Sequence, residues 1–373
     1  MMDEFDDLAE ASKSPDGVRV LRLEDSGLLS LPPAIRHFRN LEVLSVAGNQ
    51  IRRINPETLA GLSKLVVLHL SGNHLTDLPM ELADMPSLRQ LFLRGNPLRS
   101  LPAVIPRMTK LDTIDMSQTS MERIPPEVFQ CRSLRLLGFD DCHLKELPHA
   151  IAGLKNLHFL WLKGNKLRSL PAELGNLRHL WILDLRDNPE LKRIDPIRHL
   201  ARLERLFLDG VPTRRFPQWL GDLRELTHLT LNKVPMRHIP RVAMTLPKLE
   251  WLEVGHCGIE RISGSIGKMS RLRHLGLGDN MLQSLPPGLC EAKRLASLDL
   301  SDNQFREVPP EIQSLRRLIH LSLVGNPIRA SSVTPELKEF LPRVLEKVTV
   351  WPSLRNDGTV HIQLRVPRAG HMF

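Results

Sequence analysis

The chain of 373 residues sets 51 Lys and Arg against 42 Asp and Glu, a formal charge of +9, and 42% of its residues are hydrophobic. With a mean hydropathy of −0.17 and no apolar run near the roughly 20 residues that span a bilayer, it reads as a soluble chain with a large core. The acidic start, MMDEFDDLAEASKSPDG, lacks the hydrophobic block of a secretory signal, and Cys131, Cys142, Cys257 and Cys290 have neither metal-ligand spacing nor the number for a disulfide framework. A reducing, cytoplasmic setting is the expectation.

Taken in chain order, residues 1–17 form an amino-terminal cap in which Phe5 and Leu8 cover the core that begins at Val18. From Val18 a spelling L-x-x-L-x-L-x-x-N-x-L-x-x-L-P begins, and it recurs from Leu41, Leu65, Leu88, Leu111, Leu134, Leu157, Leu180, Leu203, Leu226, Leu249, Leu272, Leu295 and Leu318. Every step is 23 residues except one of 24, between Leu41 and Leu65, so fourteen units fill residues 18–330. Within each unit L-x-x-L-x-L has the period of a short strand with alternate leucines turned inward. Prolines such as Pro79, Pro102, Pro125, Pro148 and Pro171 then open a turn, and pairs such as Ile151/Leu154, Leu174/Leu177 and Ile312/Leu315 face the core from short helical segments. Residues 331–373 form a carboxyl-terminal cap, with helical spacing over 335–347 (Leu337, Phe340, Leu341, Val344, Leu345) and a strand over 359–366 after Asn356-Asp357-Gly358.

Fourteen units in register resemble the leucine-rich repeat family, and the resemblance covers about residues 18–330. It implies an α/β solenoid: a curved horseshoe with a parallel sheet on the concave face and short helices or 3₁₀ turns on the convex face. It also implies a role for the ninth position, which is Asn49, Asn73, Asn96, Asn165, Asn188, Asn280, Asn303 and Asn326 in eight units. Such an asparagine bonds backbone groups of adjacent turns. Ser26, Thr119, Cys142 and Cys257 substitute more weakly, whereas Val211 and Val234 have no polar atom to offer. A looser ladder is expected over residues 203–248.

The third, fifth and seventh positions of each unit are not needed for the core and are free to bind. The early units are bland there (Val43, Ser45, Ala47, Val67, His69, Ser71), and the character changes at Phe92 and Arg94. The densest stretch is Phe159, Trp161 and Lys163, then Trp181, Asp184 and Arg186, then Arg205 and Phe207, with Trp251 and Glu253 further on. Aromatic residues are only 4% of the chain, so Trp, Phe and Arg gathered at strand-face positions have the composition of a protein-binding hot spot. The bland reading is that surface rings on a sheet simply pack across neighbouring strands. Burial of these rings beneath a loop or cap would sink the binding reading.

The arginine excess falls elsewhere. One set follows the N-x-L leucine (Arg52, Arg99, Lys145, Arg168, Lys192, Arg214, Arg237, Arg306, Arg329), and another precedes each first leucine (Lys64, Lys110, Arg202, Arg271, Arg294, Arg317). Charge spread over several faces argues against nucleic acid, which wants one basic footprint with stacking aromatics. Catalysis and cofactors find no motif: Cys142 and Cys257 stand at the ladder position, and no phosphate-binding glycine loop or H-E-x-x-H appears. His228, His256 and His274 are spaced to approach one another across strands, and Trp219 stands apart on the convex side. The 23-residue unit with Leu-Pro resembles that of intracellular Ras-pathway-type scaffolds and of bacterial leucine-rich-repeat effectors. The resemblance implies a non-enzymatic scaffold that binds a partner protein on its concave face, in signalling or host manipulation, where the host cytoplasm becomes its location. The alternative is an effector ubiquitin ligase whose repeats select the substrate; the short tail after Arg329, without cysteine, and the early first repeat argue against it.

Overall fold

The computed structural model describes residues 4–213 and 216–329, together with the backbone of residues 349–354 and 360–365. The chain divides into two compact units, Met1–Leu200 and Ala201–Phe373. In the first, short strands follow one another in chain order: β1 (Glu4–Phe5), β2 (Val20–Arg22), β3 (Val43–Ser45), β4 (Val67–His69), β5 (Gln90–Phe92), β6 (Thr113–Asp115), β7 (Leu136–Gly138), β8 (Phe159–Trp161) and β9 (Ile182–Asp184). In the second they are β10 (Arg205–Phe207), β11 (His228–Thr230), β12 (Trp251–Glu253), β13 (His274–Gly276), β14 (Ser297–Asp299) and β15 (His320–Ser322). Within each unit, neighbours are parallel and registered one repeat apart, as with Leu137↔Leu160 and Leu160↔Leu183, or Leu229↔Leu252 and Leu252↔Leu275. Equivalent positions therefore lie side by side, about 4.8 Å apart.

Side-chain alternation makes this work. Leu157, Leu160 and Leu162 are all fully buried, while Phe159 and Trp161 between them are half-exposed. Burying each such leucine contributes about 2 kcal/mol. The chain returns through short 3₁₀ turns. In one of them Ile151 N–H donates to Pro148 O at 3.1 Å and Leu154 N–H to Ile151 O at 3.0 Å, with both apolar side chains inside. The single 24-residue step coincides with a turn of α-helix, Pro56–Leu59, where Asn55 Oδ1 accepts the Glu57 N–H at 3.1 Å. The sequence expectation of a parallel-sheet repeat solenoid with short 3₁₀ turns is met.

At the amino end, β1 pairs with β2 (Glu4↔Val20, Phe5↔Leu21), and the helix Leu8–Lys13 is capped by Asp7, whose Oδ1 accepts the Glu10 N–H at 2.8 Å. Residues Thr349–Leu354 (β16) and Val360–Arg365 (β17) form an antiparallel hairpin, β17 falling within the 359–366 strand expected from sequence. The helix expected over 335–347 lies outside the described residues.

The asparagine ladder takes the form expected of it. Asn165 Nδ2 donates to Phe139 O at 2.7 Å in the preceding turn and to Leu162 O at 2.9 Å in its own, while its Oδ1 accepts the Leu144 N–H at 2.8 Å. Substitutes make fewer bonds. Thr119 Oγ1 donates to Met116 O of its own turn (2.8 Å) and lies 3.6 Å from Cys142 Sγ, and the buried Cys142 and Cys257 thiols donate into the preceding turn, to Met116 O (3.2 Å) and Leu231 O (3.1 Å). Burial raises both thiol pKa values, that of Cys257 to about 11, so these cysteines are structural donors rather than nucleophiles. At Val211 the residue's own N–H closes the turn onto Leu208 O at 3.1 Å. Close by, the buried hydroxyls of Thr213 and Thr230 have no partner, and Thr213 occupies the eleventh position, where most other turns place an apolar side chain such as Leu144, Leu167 or Ile259.

Each repeat also turns on a left-handed residue at its eighth position. It is glycine in some turns (Gly164, φ 67°) and Asp, Gln, Lys or His in others (Asp141, φ 54°; His256, φ 55°). The same sharp bend is needed wherever the strand hands over to the ladder asparagine.

Candidate functional site

In the first unit the strand face carries a ring cluster at β8 and β9. Trp181, one residue ahead of β9, is 39% exposed. Its indole meets His158 edge-on, with centroids 4.4 Å apart at 73°, and Phe159 edge-on at 6.1 Å and 88°. His179 extends the group, 6.2 Å from His158. His158 Nδ1 is buried without a hydrogen bond, and desolvation lowers the ring's pKa, which favours the neutral imidazole beside an aromatic neighbour. Edge-on pairs of this kind are worth about 0.5–1.5 kcal/mol each beyond area burial. They hold the exposed indole in place. Trp161 faces Gly138 in the neighbouring strand, where no side chain rises to cover it.

Charge lies beside the rings. Asp184 is only 4% exposed and is gripped by Arg186, whose Nε lies 2.9 Å from Oδ1 and 3.0 Å from Oδ2. Of this pair only the half-exposed Arg186 presents itself. Asp140 Oδ1 accepts the Lys163 backbone N–H at 2.8 Å. Burial pushes the Asp140 carboxyl up to about 6, with the Lys163 N–H and Arg94 opposing the shift and Asp184 and Asp115 adding to it. Phe92 stands apart from this cluster: β6 and β7 separate it from β8, and its ring partner is His69, at 5.2 Å and 63°. The sequence-derived residues of this unit thus fall into two groups, with the buried Asp115 on β6 and the half-buried Asp140 just after β7 between them.

In the second unit the centre is Trp251, also 39% exposed. It lies between two imidazoles supplied by neighbouring strands, stacked on His274 at 3.6 Å and 11° and facing His228 at 6.0 Å and 14°. His274 is held at both nitrogens, with Nε2 2.7 Å from Glu253 Oε1 and Nδ1 2.9 Å from Ser297 Oγ. Glu253 reaches across because β13 offers glycine: a Cβ on Gly276 would stand 1.8 Å from Glu253 Oε2. His228 Nδ1 sits 2.9 Å from Thr227 Oγ1, and desolvation, with Arg205 adding to it, lowers that ring's pKa. His256 does not join these rings; it pairs with Asp279 at the left-handed turn. Arg205 and Phe207 are half-buried on β10, and Trp219 is half-buried on the 3₁₀ turn Gln218–Asp222.

Sequence reasoning singled out the exposed rings but not the neighbours His158, His179, Asp115 and Asp140, and it read His69 as bland. The signal for them was present, because the same column logic that selects Phe159 places His158 beside Trp181. Among the basic sets, Arg168–Glu190 (2.9 Å), Lys145–Glu122 (3.9 Å) and Arg237–Glu260 (3.9 Å) are exposed surface pairs, worth at most about 1 kcal/mol each. Arg214 lies outside the described residues. Among the described residues, no group of His, Cys, Asp and Glu is arranged to hold a metal ion, and no helix is long and apolar enough to cross a membrane.

Comparison with known proteins agrees with this geometry. A family model described as leucine rich repeat matches residues 16–75, 39–98 and 260–328, and one described as leucine-rich repeat region matches residues 130–262. No curated protein matches the chain. Among solved structures, a leucine-rich-repeat protein of Leptospira interrogans is 28% identical with a TM-score of 0.74, covering 93% of this chain and 99% of that one. The ectodomain of an Arabidopsis thaliana membrane receptor kinase, solved in complex with Casparian strip integrity factor 2, is 29% identical with a TM-score of 0.63, covering 83% of this chain and 38% of that one. An internalin of Listeria monocytogenes shares the fold at 21% identity and a TM-score of 0.68, covering 83% and 88%. With stacked parallel strands, a buried asparagine ladder and family matches along most of its repeats, the chain belongs to the leucine-rich repeat family.

Proposed function

We propose that this protein is a non-enzymatic scaffold that binds a partner protein on the strand face. One observation carries the reading: two indoles, Trp181 and Trp251, remain 39% exposed while neighbouring rings fix their orientation. An exposed Trp held rigid loses little entropy on binding, and such residues carry most of the affinity of protein interfaces. Phe159 packs on the first anchor, with Trp161, Lys163 and Arg186 further along the same two turns; Arg205, Phe207 and Glu253 go with the second; Phe92 and Arg94 form an outlying contact. Asp184 acts by holding Arg186. The Arabidopsis neighbour, solved with its bound factor, supports a protein or peptide ligand for a chain of this fold. The free state of Cys131, Cys142, Cys257 and Cys290 supports a reducing, cytoplasmic setting. Signalling or host manipulation is the role we assign to such a scaffold.

The test is affinity capture from lysate with mass spectrometry, comparing wild type with a variant carrying Phe159→Ala, Trp161→Ala, Trp181→Ala and Phe207→Ala. Truncating hot-spot residues costs about 2 kcal/mol or more each, so a true partner vanishes from the variant. Equal capture by both proteins removes the strand face as the binding site.

A further inference from the structure

The loop edge of the first unit carries a second feature that the strand-face reading does not use. Beside the ladder, two clefts open at the same repeat positions. One, of about 650 Å³, is lined by Arg99, Ser120, Glu122, Arg123 and His143, with Thr119 and Cys142 at its base. It forms where these two shorter side chains replace the ladder asparagine in successive turns. The other, of about 460 Å³, is lined by Arg52, Arg53, His74 and Thr76. In each, a turn's twelfth-position arginine meets a second arginine, a tenth-position histidine from a following turn, and a hydroxyl.

These arginines differ from others at equivalent positions. Arg168 and Arg237 have carboxylate partners in Glu190 and Glu260. Arg52, Arg53, Arg99 and Arg123 are exposed, and among the described residues none has an ion-pair partner. Glu122, the one acid lining either cleft, lies 3.9 Å from Lys145.

We infer that the two clefts bind phosphate groups of a phosphorylated partner segment. Charge and donor count together favour phosphate over carboxylate. A carboxylate carries one charge, which a single bidentate guanidinium neutralises, leaving the second arginine's charge unbalanced. A phosphate monoester brings three acceptor oxygens and a charge of about −1.5 to −2, which matches two guanidinium groups with a hydroxyl and an imidazole N–H to spare. No Trp, Phe or Tyr lines either cleft, which leaves only the His74 and His143 rings as a platform for stacking bases and favours phosphate over a nucleic acid. The clefts stand two to three repeats apart (Arg52 to Arg99 is two, His74 to His143 three), about 10–14 Å along the stack at ~4.8 Å per turn. Three residues of a polyproline-II chain span about 9 Å, close to the lower end of that range, and return to the same face.

The probe is a fluorescent synthetic peptide with two phosphoserines three residues apart, its affinity read by anisotropy on the full chain. Arg99→Glu with Arg123→Glu, and separately Arg52→Glu with Arg53→Glu, should each weaken binding at least tenfold while leaving the melting temperature unchanged. Lys192→Glu with Arg193→Glu reverses the same charge at another point of the chain and should change affinity less than threefold. Equal binding of the unphosphorylated peptide, equal loss in the Lys192/Arg193 control, or tighter binding of a single-stranded oligonucleotide with the same arginine dependence overturns the inference. Because Trp181 and Trp251 are untouched by these variants, failure here leaves the strand-face reading to its own test.

Discussion

Asn165 belongs to the repeat that presents Phe159, Trp161 and Lys163, so Asn165→Ala tests how the ladder supports the binding face. The side chain is 2% exposed and serves backbone groups of two turns. Its loss does not orphan all of them. Leu162 O is also reached by Asn188 Nδ2 at 2.9 Å and keeps a partner. Phe139 O and the N–H groups of Leu144 and Cys142, the last bonded at 3.3 Å, lose theirs. An unsatisfied buried polar group costs about 1–3 kcal/mol, and the weak Cys142 bond sits at the low end, which gives about 3–7 kcal/mol in all. Repeat arrays open locally, so the direct readout is amide hydrogen exchange at Leu144 and the strand residues of β8. Protection there should fall at least 100-fold, since 1.4 kcal/mol is a factor of ten. Asn156→Ala removes an exposed asparagine that bonds Arg132 O at 2.9 Å and should change protection less than threefold. A loss below about 1 kcal/mol at Asn165 would refute the claim that these backbone groups depend on the side chain.

Other contacts set further expected outcomes. Gly276→Ala would drive a Cβ into Glu253 Oε2, breaking the Glu253–His274 pair; partner affinity at Trp251 should drop about tenfold by titration calorimetry, with about 1–2 kcal/mol lost from stability. Thr213→Leu restores a core side chain where a buried hydroxyl lacks a partner, and a gain of about 1–2 kcal/mol should appear as a higher melting temperature. Amides of residues 203–248 should exchange faster than those of flanking repeats, because Val211 and Val234 offer no ladder bond; uniform protection would refute this. The Asp140 carboxyl is raised to about 6 when folded against an ordinary value of 3.8, so the folded state binds the proton more tightly. Its contribution therefore falls as pH rises from about 4 through 6, and Asp140→Asn should flatten the stability profile across that window in pH-dependent thermal melts.

Much of the fold was legible because a repeat makes sequence position equivalent to spatial position. Ladder asparagines, inward leucines and the prolines that open each turn all come from one 23-residue register, and so does the presence of His228 and His274 on either side of Trp251. What the register hides is side-chain reach. Asp184 reads as a surface contact, yet it folds along its own strand to Arg186, two residues on, and is buried there. The left-handed eighth position is not legible because Gly164, Asp141 and His256 share no chemistry, only a tolerance of positive φ under tertiary constraint.

Glycine at a strand-face position shows why such reach matters for function. Gly276 in isolation reads as a gap in the binding face, a place where the protein offers nothing. In the fold it is the space into which Glu253 leans, and that lean fixes His274 against one face of Trp251. Gly138 stands in the same relation to Asp115, whose Oδ1 would lie 2.6 Å from an added Cβ. The two glycines thus let carboxylates turn sideways within the strand face instead of projecting toward a partner. A charged side chain pointing outward would have to be desolvated on binding; one already bonded within the face does not incur that cost again. The specificity of such a face therefore resides in pairs of adjacent turns, and exchanging single repeats should disturb recognition more than exchanging adjacent pairs.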